Sequence, residues 1–283
     1  MHEWHAFPYD DAAYHYAGKR LKTTWAGLHC GDCEPFPDGD WLERQLQETP
    51  GAAPRDFDGN VAALAEKLQS AWRSFHAGRF AEAVAVADGC GVLGASCANK
   101  ATGIYATYLE DDSARQQACF TTAIERAEQA CGDLPGLANS HYFHALNLGR
   151  MSQSMSVMDA LRQGLGGKIL ASLQRALDIE ANHAEAHTAL GMYHAEVINK
   201  VGKMMASLTY GASTDKALEH FQRALELTPG SPIAHIEYAN GLNLLFGNRE
   251  LEQVTDLYIK ASELRARDAM ERLDIEAALA ELE

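Results

Sequence analysis

Between Asn139 and Glu263 the apolar positions of the chain repeat. Three stretches open alike: Ser-His141-Tyr-Phe-His-Ala145, Ala-His187-Thr-Ala-Leu-Gly191 and Ala-His235-Ile-Glu-Tyr-Ala239. In each, a His is followed four residues later by a small residue, and the His-to-His spacings are 46 and 48. A second apolar stripe follows each opening. Two of these are nearly identical, Leu173-Gln-Arg-Ala-Leu-Asp-Ile179 and Phe221-Gln-Arg-Ala-Leu-Glu-Leu227, and the third is looser, Tyr258-Ile-Lys-Ala261-Ser-Glu-Leu264. Apolar residues at i, i+3 and i+4 mark amphipathic helices, and a period in this range marks stacked helix–turn–helix units. Gly191 and Ala239 are expected to let neighbouring helices approach. Phe221 should fill the space between them, and Pro229 should end its unit, because proline cannot continue a helix.

The same pattern extends towards the N-terminus. Tyr14, Ala17, Leu21, Trp25 and Leu28 share one helical face behind Asp10 and Asp11, which predicts a capped helix running to about Leu28. Gly31, Pro35 and Pro37 break it into a turn and an extended strip. A short helix is expected over Trp41–Glu48, then a linker, by composition, from Pro50 to Asp58. From Val61 the periodicity returns, with Gly78 relieving a tight turn between two helices. A divergent pair follows over about Ser96–Glu110 and Asp112–Ala130, and Gly132 to Gly136 breaks the chain before the three clear copies. A last helix begins at Asp268, which can pair with Glu271 in a capping box. Its outer face, with Glu276, Glu281 and Glu283, suits a cap facing water. The predicted architecture is all-α: about five helical hairpins in an α-solenoid, with residues 1–57 an N-terminal helical extension and linker and residues 58–283 the repeat domain.

The first two copies carry extra residues between their helices, roughly Arg150–Lys168 and Val197–Thr214, rich in Met, Gly and Ser. The expectation is a first helix lengthened by about three turns, projecting about 16–20 Å beyond an ordinary repeat. Insertions at equivalent places in successive repeats fall on one edge of a solenoid, often the binding edge.

These residues carry a resemblance. The copy from Ala184 to Gly230, with Leu190-Gly191, Ala217, Phe221, Ala224 and Pro229 in their slots, resembles the tetratricopeptide (TPR) repeat family. The long inserts narrow it. Gln163-Gly-Leu-Gly-Gly-Lys168, Ala186-His-Thr-Ala-Leu-Gly191-Met-Tyr-His194 and Asp268-Ala-Met-Glu-Arg-Leu-Asp274 look like the TPR-like proteins of the regulator-of-microtubule-dynamics type and their bacterial relatives. A weaker similarity runs to the accessory TPR subunits of periplasmic solute transporters. The resemblance covers about half of the chain. It implies a non-enzymatic adaptor or scaffold that binds a peptide or partner protein. The transporter likeness implies an alternative, a small apolar ligand held between the inserts.

Charge and composition narrow the partners. The net charge of −15 over 283 residues lacks the basic footprint that nucleic acid needs, and disfavours docking on an anionic membrane. No apolar run is long enough for a membrane span, and the N-terminus lacks the basic and apolar regions of a secretory signal. Six scattered Cys do not form a secreted disulfide framework. A cytoplasmic protein with a protein or peptide partner is expected, and homo-oligomerisation through a solenoid edge stays open.

The candidate chemistry is sparse. His29-Cys30-Gly-Asp-Cys33 offers two thiols and an imidazole, so a metal or redox protein is a further alternative. A structural zinc site wants a second ligand pair, which is missing, and the plainer reading is a packed turn. His141, His187 and His235 fall at slots for large interfacial side chains, about 10 Å apart in stacked helices, and read as hydrogen-bonded core residues. Gly164-Leu-Gly-Gly-Lys168-Ile is a poor phosphate loop, lacking the Ser or Thr after Lys and the preceding strand. It reads as a turn with Lys168 starting the next helix. No catalytic set, metal site or cofactor is expected. The chemically distinct surface is a basic, Met-rich edge: Met151, Met155 and Met158 on one helical face, Met204 and Met205 in the next insert, and Arg150, Lys168, Lys200 and Lys203 beside them. It suits an acidic or carboxylate-ended partner.

Overall fold

The computed structural model describes residues 4–283, which form two compact units. One comprises residues up to Leu28 together with Glu34–Met151. The other comprises His29–Cys33 and Ser152–Glu283. The described residues are helical with no strand, and the fold is of the all-α, TPR-like solenoid class, built of paired helices.

In the first unit, α1 (Lys19–Leu28), α2 (Gly39–Glu48), α3 (Val61–His76), α4 (Phe80–Asp88), α5 (Ala95–Tyr108) and α6 (Ser113–Asp133) precede α7 (Ala138–Gln153). α3 pairs with α4, α4 with α5, and α5 with α6. Fully buried alanines at these contacts, among them Ala71, Ala83, Ala87, Ala98 and Ala123, allow close helix approach. Gly78 turns α3 into α4 with φ +76°, a left-handed conformation that a side chain would strain. Side-chain caps set three starts: Asp38 accepts from the Trp41 N–H (3.1 Å), Asn60 from Ala63 (3.0 Å) and Asp112 from Arg115 (2.9 Å). Capping by Asp38 explains why α2 begins two residues before the expected Trp41.

Two expectations fail here. The helix expected from Asp11 to Leu28 is broken. Ala12–Tyr14 form one 3-10 turn, and α1 starts only at Lys19. Between them Tyr16 is buried, its carbonyl accepts from Arg73 Nε (3.2 Å), and Gly18 adopts φ +55°. Tertiary packing of Tyr14 and Tyr16 overrides the helical spacing. Residues 50–58, linker-like in composition, are packed instead: Ala52 is buried with Leu42, Leu64 and Leu68, and Phe57 leans on the same cluster.

In the second unit, α8 (Val157–Arg162), α9 (Leu165–Ile179), α10 (Ala184–Val201), α11 (Lys203–Tyr210), α12 (Thr214–Leu227), α13 (Pro232–Phe246), α14 (Leu251–Ser262) and α15 (Ala269–Ala280) follow in order. α10 packs on α12 and α13, and α13 on α14. At the centre lies Phe221, fully buried and stacked on Tyr238 (5.0 Å, 14°). As expected, Gly191 makes room for it: a Cβ there would sit 2.6 Å from the ring. Gly241 presses on the other edge, a role the repeat pattern assigns to no residue.

The inserts differ from expectation. They are not three-turn extensions of the first helices. α7 stops at Gln153, and α8 is a separate short helix whose N-cap Ser156 accepts from Asp159 N–H (3.1 Å). α10 stops at Val201, because Gly202 turns the chain with φ +80° before α11. A capping serine and a glycine each restart the chain in a new direction. Lys168 does not start the helix after the first insert either. α9 begins at Leu165, with Gly164 in the left-handed region. Gly166 lies inside the helix, where its missing side chain admits the Tyr210 ring to 3.4 Å from the point a Cβ would occupy.

The His29–Cys33 turn packs within the second unit. His29 Nδ1 and Asp32 Oδ1 are 2.9 Å apart and buried. The Gly31 carbonyl accepts from the Glu185 N–H at the start of α10 (2.9 Å), and Arg267 donates to Cys30 Sγ (3.0 Å). Asp268 caps α15 as expected, accepting from Glu271 N–H (2.9 Å). The Glu271 carboxylate reaches past the cap to the Arg267 N–H (2.7 Å) and guanidinium.

Candidate partner-binding face

α11 is apolar on both sides. Ala206 is buried and Tyr210 half-buried on the inner side, against Ile198 and Ala212. Met204, Met205 and Leu208 occupy the other side at 73%, 50% and 78% exposure. Positions 204, 205 and 208 lie within about 100° of helical arc, so they form one stripe. α8 also turns apolar residues outward, Val157, Met158 (65% exposed) and Leu161, although none of its own residues is buried. The Tyr210 ring over Gly166 sets the end of α11 beside the first turn of α9. Scattered exposed apolar residues are ordinary, but two successive inserts presenting such stripes are not.

The basic residues accompany them. Lys203 and Lys168 are exposed at the starts of α11 and α9. Lys200 is tied to Glu196 (3.2 Å) and Arg162 to Asp159 (3.2 Å), which offsets part of their charge. The structure distributes the nine expected residues unevenly. Met158, Lys168, Lys200, Lys203, Met204 and Met205 are exposed in the second unit. Met155 sits half-buried at the bend before α8, and Arg150 and Met151 are half-buried on α7. Met151 and Met158 therefore do not share a helical face, because the chain breaks between them. Leu208, Val157 and Leu161 were missed. An insert read as a continuous helix offers no reason to separate its outward stripe from its inward one.

A histidine cluster joins α10 to α12. His187 Nε2–H donates to the Ala181 carbonyl (3.1 Å), which leaves its Nδ1 to accept from His220 Nδ1–H (2.9 Å). His194 stacks on His220 (5.8 Å, 17°). Burial, then the neighbouring ring, holds both His194 and His220 down at about 4, and burial also lowers His187. His194 Nδ1 and the Tyr193 hydroxyl are buried without a hydrogen-bond partner among the described residues. Of the repeated openings, His141 donates to Pro135 O (3.0 Å) and His235 to Ser231 O (2.9 Å). Each of the three is thus hydrogen-bonded, but only His235 is buried, and His141 and His187 are half-buried. Among the described residues, no group of three or more His, Cys, Asp or Glu is placed to hold a metal, and no helix is long and apolar enough to cross a membrane.

The family model described as regulator of microtubule dynamics protein 1-3 matches residues 97–271. No curated protein matches the chain. Among solved structures, the chain is similar to TTC0263, a thermophilic TPR protein of Thermus thermophilus, with 15% identity and a TM-score of 0.55 over 77% of this chain and 99% of that one. A second match is YrrB, a TPR protein described as having an unusual peptide-binding site, at 15% identity, covering 84% of this chain and 98% of that one, with a TM-score of 0.37.

Proposed function

The chain belongs to the regulator of microtubule dynamics protein 1-3 family, and from that premise we propose that it is a non-enzymatic adaptor that binds a protein partner through its insert helices. The observation that carries this is the outward stripe of α11, where Met204, Met205 and Leu208 stand in solvent on a helix already packed on its other side. Methionine side chains adapt to varied apolar partners. Lys203 and Lys168 beside the stripe favour carboxylates on the partner, so the expected ligand is a segment with apolar anchors and acidic flanks. The family name sets the context in which such a partner is sought.

The test is affinity capture from native extract, read by mass spectrometry, with the Met204→Asp/Leu208→Asp double variant in parallel. Burying each of these side chains is worth about 1.5–3 kcal/mol, so losing both should weaken binding about a hundredfold or more. At least one captured protein should disappear with the variant, and its purified binding segment should bind the native chain but not the variant. Identical capture by both proteins, with circular dichroism showing the variant folded, would remove the insert face from the proposal.

A further inference from the structure

The first unit carries a second feature, remote from the inserts in sequence and largely outside the family-matched span. Residues 4–9, Trp-His-Ala-Phe-Pro-Tyr, run without secondary structure along the α3–α4 turn and the end of α5. Trp4 stacks on Tyr105 at 4.0 Å and 14°. The His5 N–H donates to the Tyr105 hydroxyl (3.3 Å). That hydroxyl in turn donates to Glu110 Oε2 (3.1 Å). Glu110 is itself clamped by Arg115 Nε (2.9 Å) and the Asp112 N–H (3.0 Å), and Arg115 above all holds its carboxyl down at about 2. Glu110 is therefore a fixed acceptor at any physiological pH, and the Tyr105 oxygen is left facing an incoming backbone N–H.

Three residues on, Phe7 lies over Gly78. A Cβ at Gly78 would fall 2.6 Å from Phe7 Cγ, so the turn glycine is also the floor of this seat. Phe7 meets Tyr9 (5.5 Å) and Tyr14 (6.4 Å) edge-on. Trp4, Phe7 and Tyr9 are half-buried, whereas His5, Ala6 and Pro8 face solvent. A cleft of about 450 Å³ stays open beside the strip, lined also by Arg79, Phe80 and Glu82. The strip is thus laid on a surface and does not fill its seat.

Two aromatic anchors, a backbone hydrogen bond and a proline that favours extended chain are elements by which extended peptides are recognised on aromatic-lined surfaces. We propose that the α3–α4 turn and the end of α5 form a peptide-binding site for extended segments of the pattern aromatic–x–x–aromatic–Pro, and that residues 4–9 occupy it in cis. A tethered segment of micromolar intrinsic affinity competes at an effective concentration of about millimolar, so an outside ligand should bind the intact chain up to about a thousandfold more weakly than the emptied site. The site is independent of the insert face.

The experiment uses a fluorescent, C-terminally amidated peptide of residues 4–9 and two forms of the protein, the full chain and a variant lacking residues 1–9. Fluorescence anisotropy should show saturable micromolar binding to the shortened protein and binding at least tenfold weaker to the full chain. A peptide carrying Trp4→Ala and Phe7→Ala should bind neither. The full-length Trp4→Ala/Phe7→Ala protein opens the same site without a deletion and should bind the native peptide, which guards against loss of folding on truncation. The Met204→Asp/Leu208→Asp protein should behave as the full chain does. Equal binding to the open and intact forms, or no saturable binding to either folded open form, overturns the proposal.

Discussion

Replacing Gly191 with Ala tests the packing on which the second unit depends. The new Cβ would fall 2.6 Å from Phe221 Cδ1 and Cε1. Ordinary van der Waals contact begins near 3.5 Å, so the ring must retreat by nearly an ångström. It has nowhere to go: Gly241 of α13 presses on its far edge and Tyr238 stacks on its face. Overpacking of this kind costs about 1–3 kcal/mol, and the blocked retreat places it near the upper end. Against it stands the better helix propensity of Ala, worth about 1 kcal/mol. The net expectation is a loss of about 2 kcal/mol. The control is Gly167→Ala in α9, where a Cβ meets nothing within 4 Å and propensity alone should stabilise by about 0.5–1 kcal/mol. Urea unfolding followed by circular dichroism measures both, and hydrogen exchange along α12 localises the effect. In a Phe221→Leu background, Gly191→Ala should lose most of its cost, a coupling of about 2 kcal/mol. If Gly191→Ala raises the urea midpoint as Gly167→Ala does, the close approach of α10 and α12 around Phe221 is refuted.

The histidine cluster predicts an acid-sensitive second unit. His194 and His220 have folded values of about 4, below the ordinary imidazole range, so the unfolded chain binds more protons between about pH 6.5 and pH 4. Their stabilising contribution is therefore full above about pH 7 and is lost as pH falls through that window. The urea midpoint should drop between pH 7 and pH 5, and His220→Gln should flatten the drop; an unchanged slope in that variant would contradict the account. A second, local prediction concerns the His29–Cys33 turn. Gly31→Ala would place a Cβ 2.9 Å from Glu185 Oε1, at the bond that joins the turn to α10. Alkylation of Cys30 by a thiol reagent should accelerate in that variant, and equal rates would show that the turn is held by other contacts.

The hairpins could be read because their signals are local. Periodicity, glycine turns and capping residues marked α5 and α6 to within a few residues, and the starts of α3, α10 and α15. The failures have a common cause, side chains answering to partners distant in sequence. Tyr14 and Tyr16 fit a helical stripe but are drawn into packing with the first unit, so the helix dissolves around them. The inserts have helical composition throughout, and only Ser156 and Gly202 betray that each is cut in two. Met204 was legible as a candidate because of its company of Met and Lys; Leu208, chemically similar, was hidden among ordinary core leucines. The Trp4–Tyr9 strip gave no signal at all, since its meaning lies in Tyr105 and Gly78.

The docking of the His29–Cys33 turn has a consequence for synthesis. Cys30 and its partner Arg267 are 237 residues apart. At about 5–20 residues per second, a ribosome needs roughly ten to fifty seconds to travel between them. During that interval Cys30 waits without its guanidinium partner, although Glu185, which bonds Gly31, emerges earlier, and the hairpins between can form as they emerge. A nascent chain stopped short of Arg267 therefore leaves Cys30 without that partner, with the turn held to the second unit only through the start of α10.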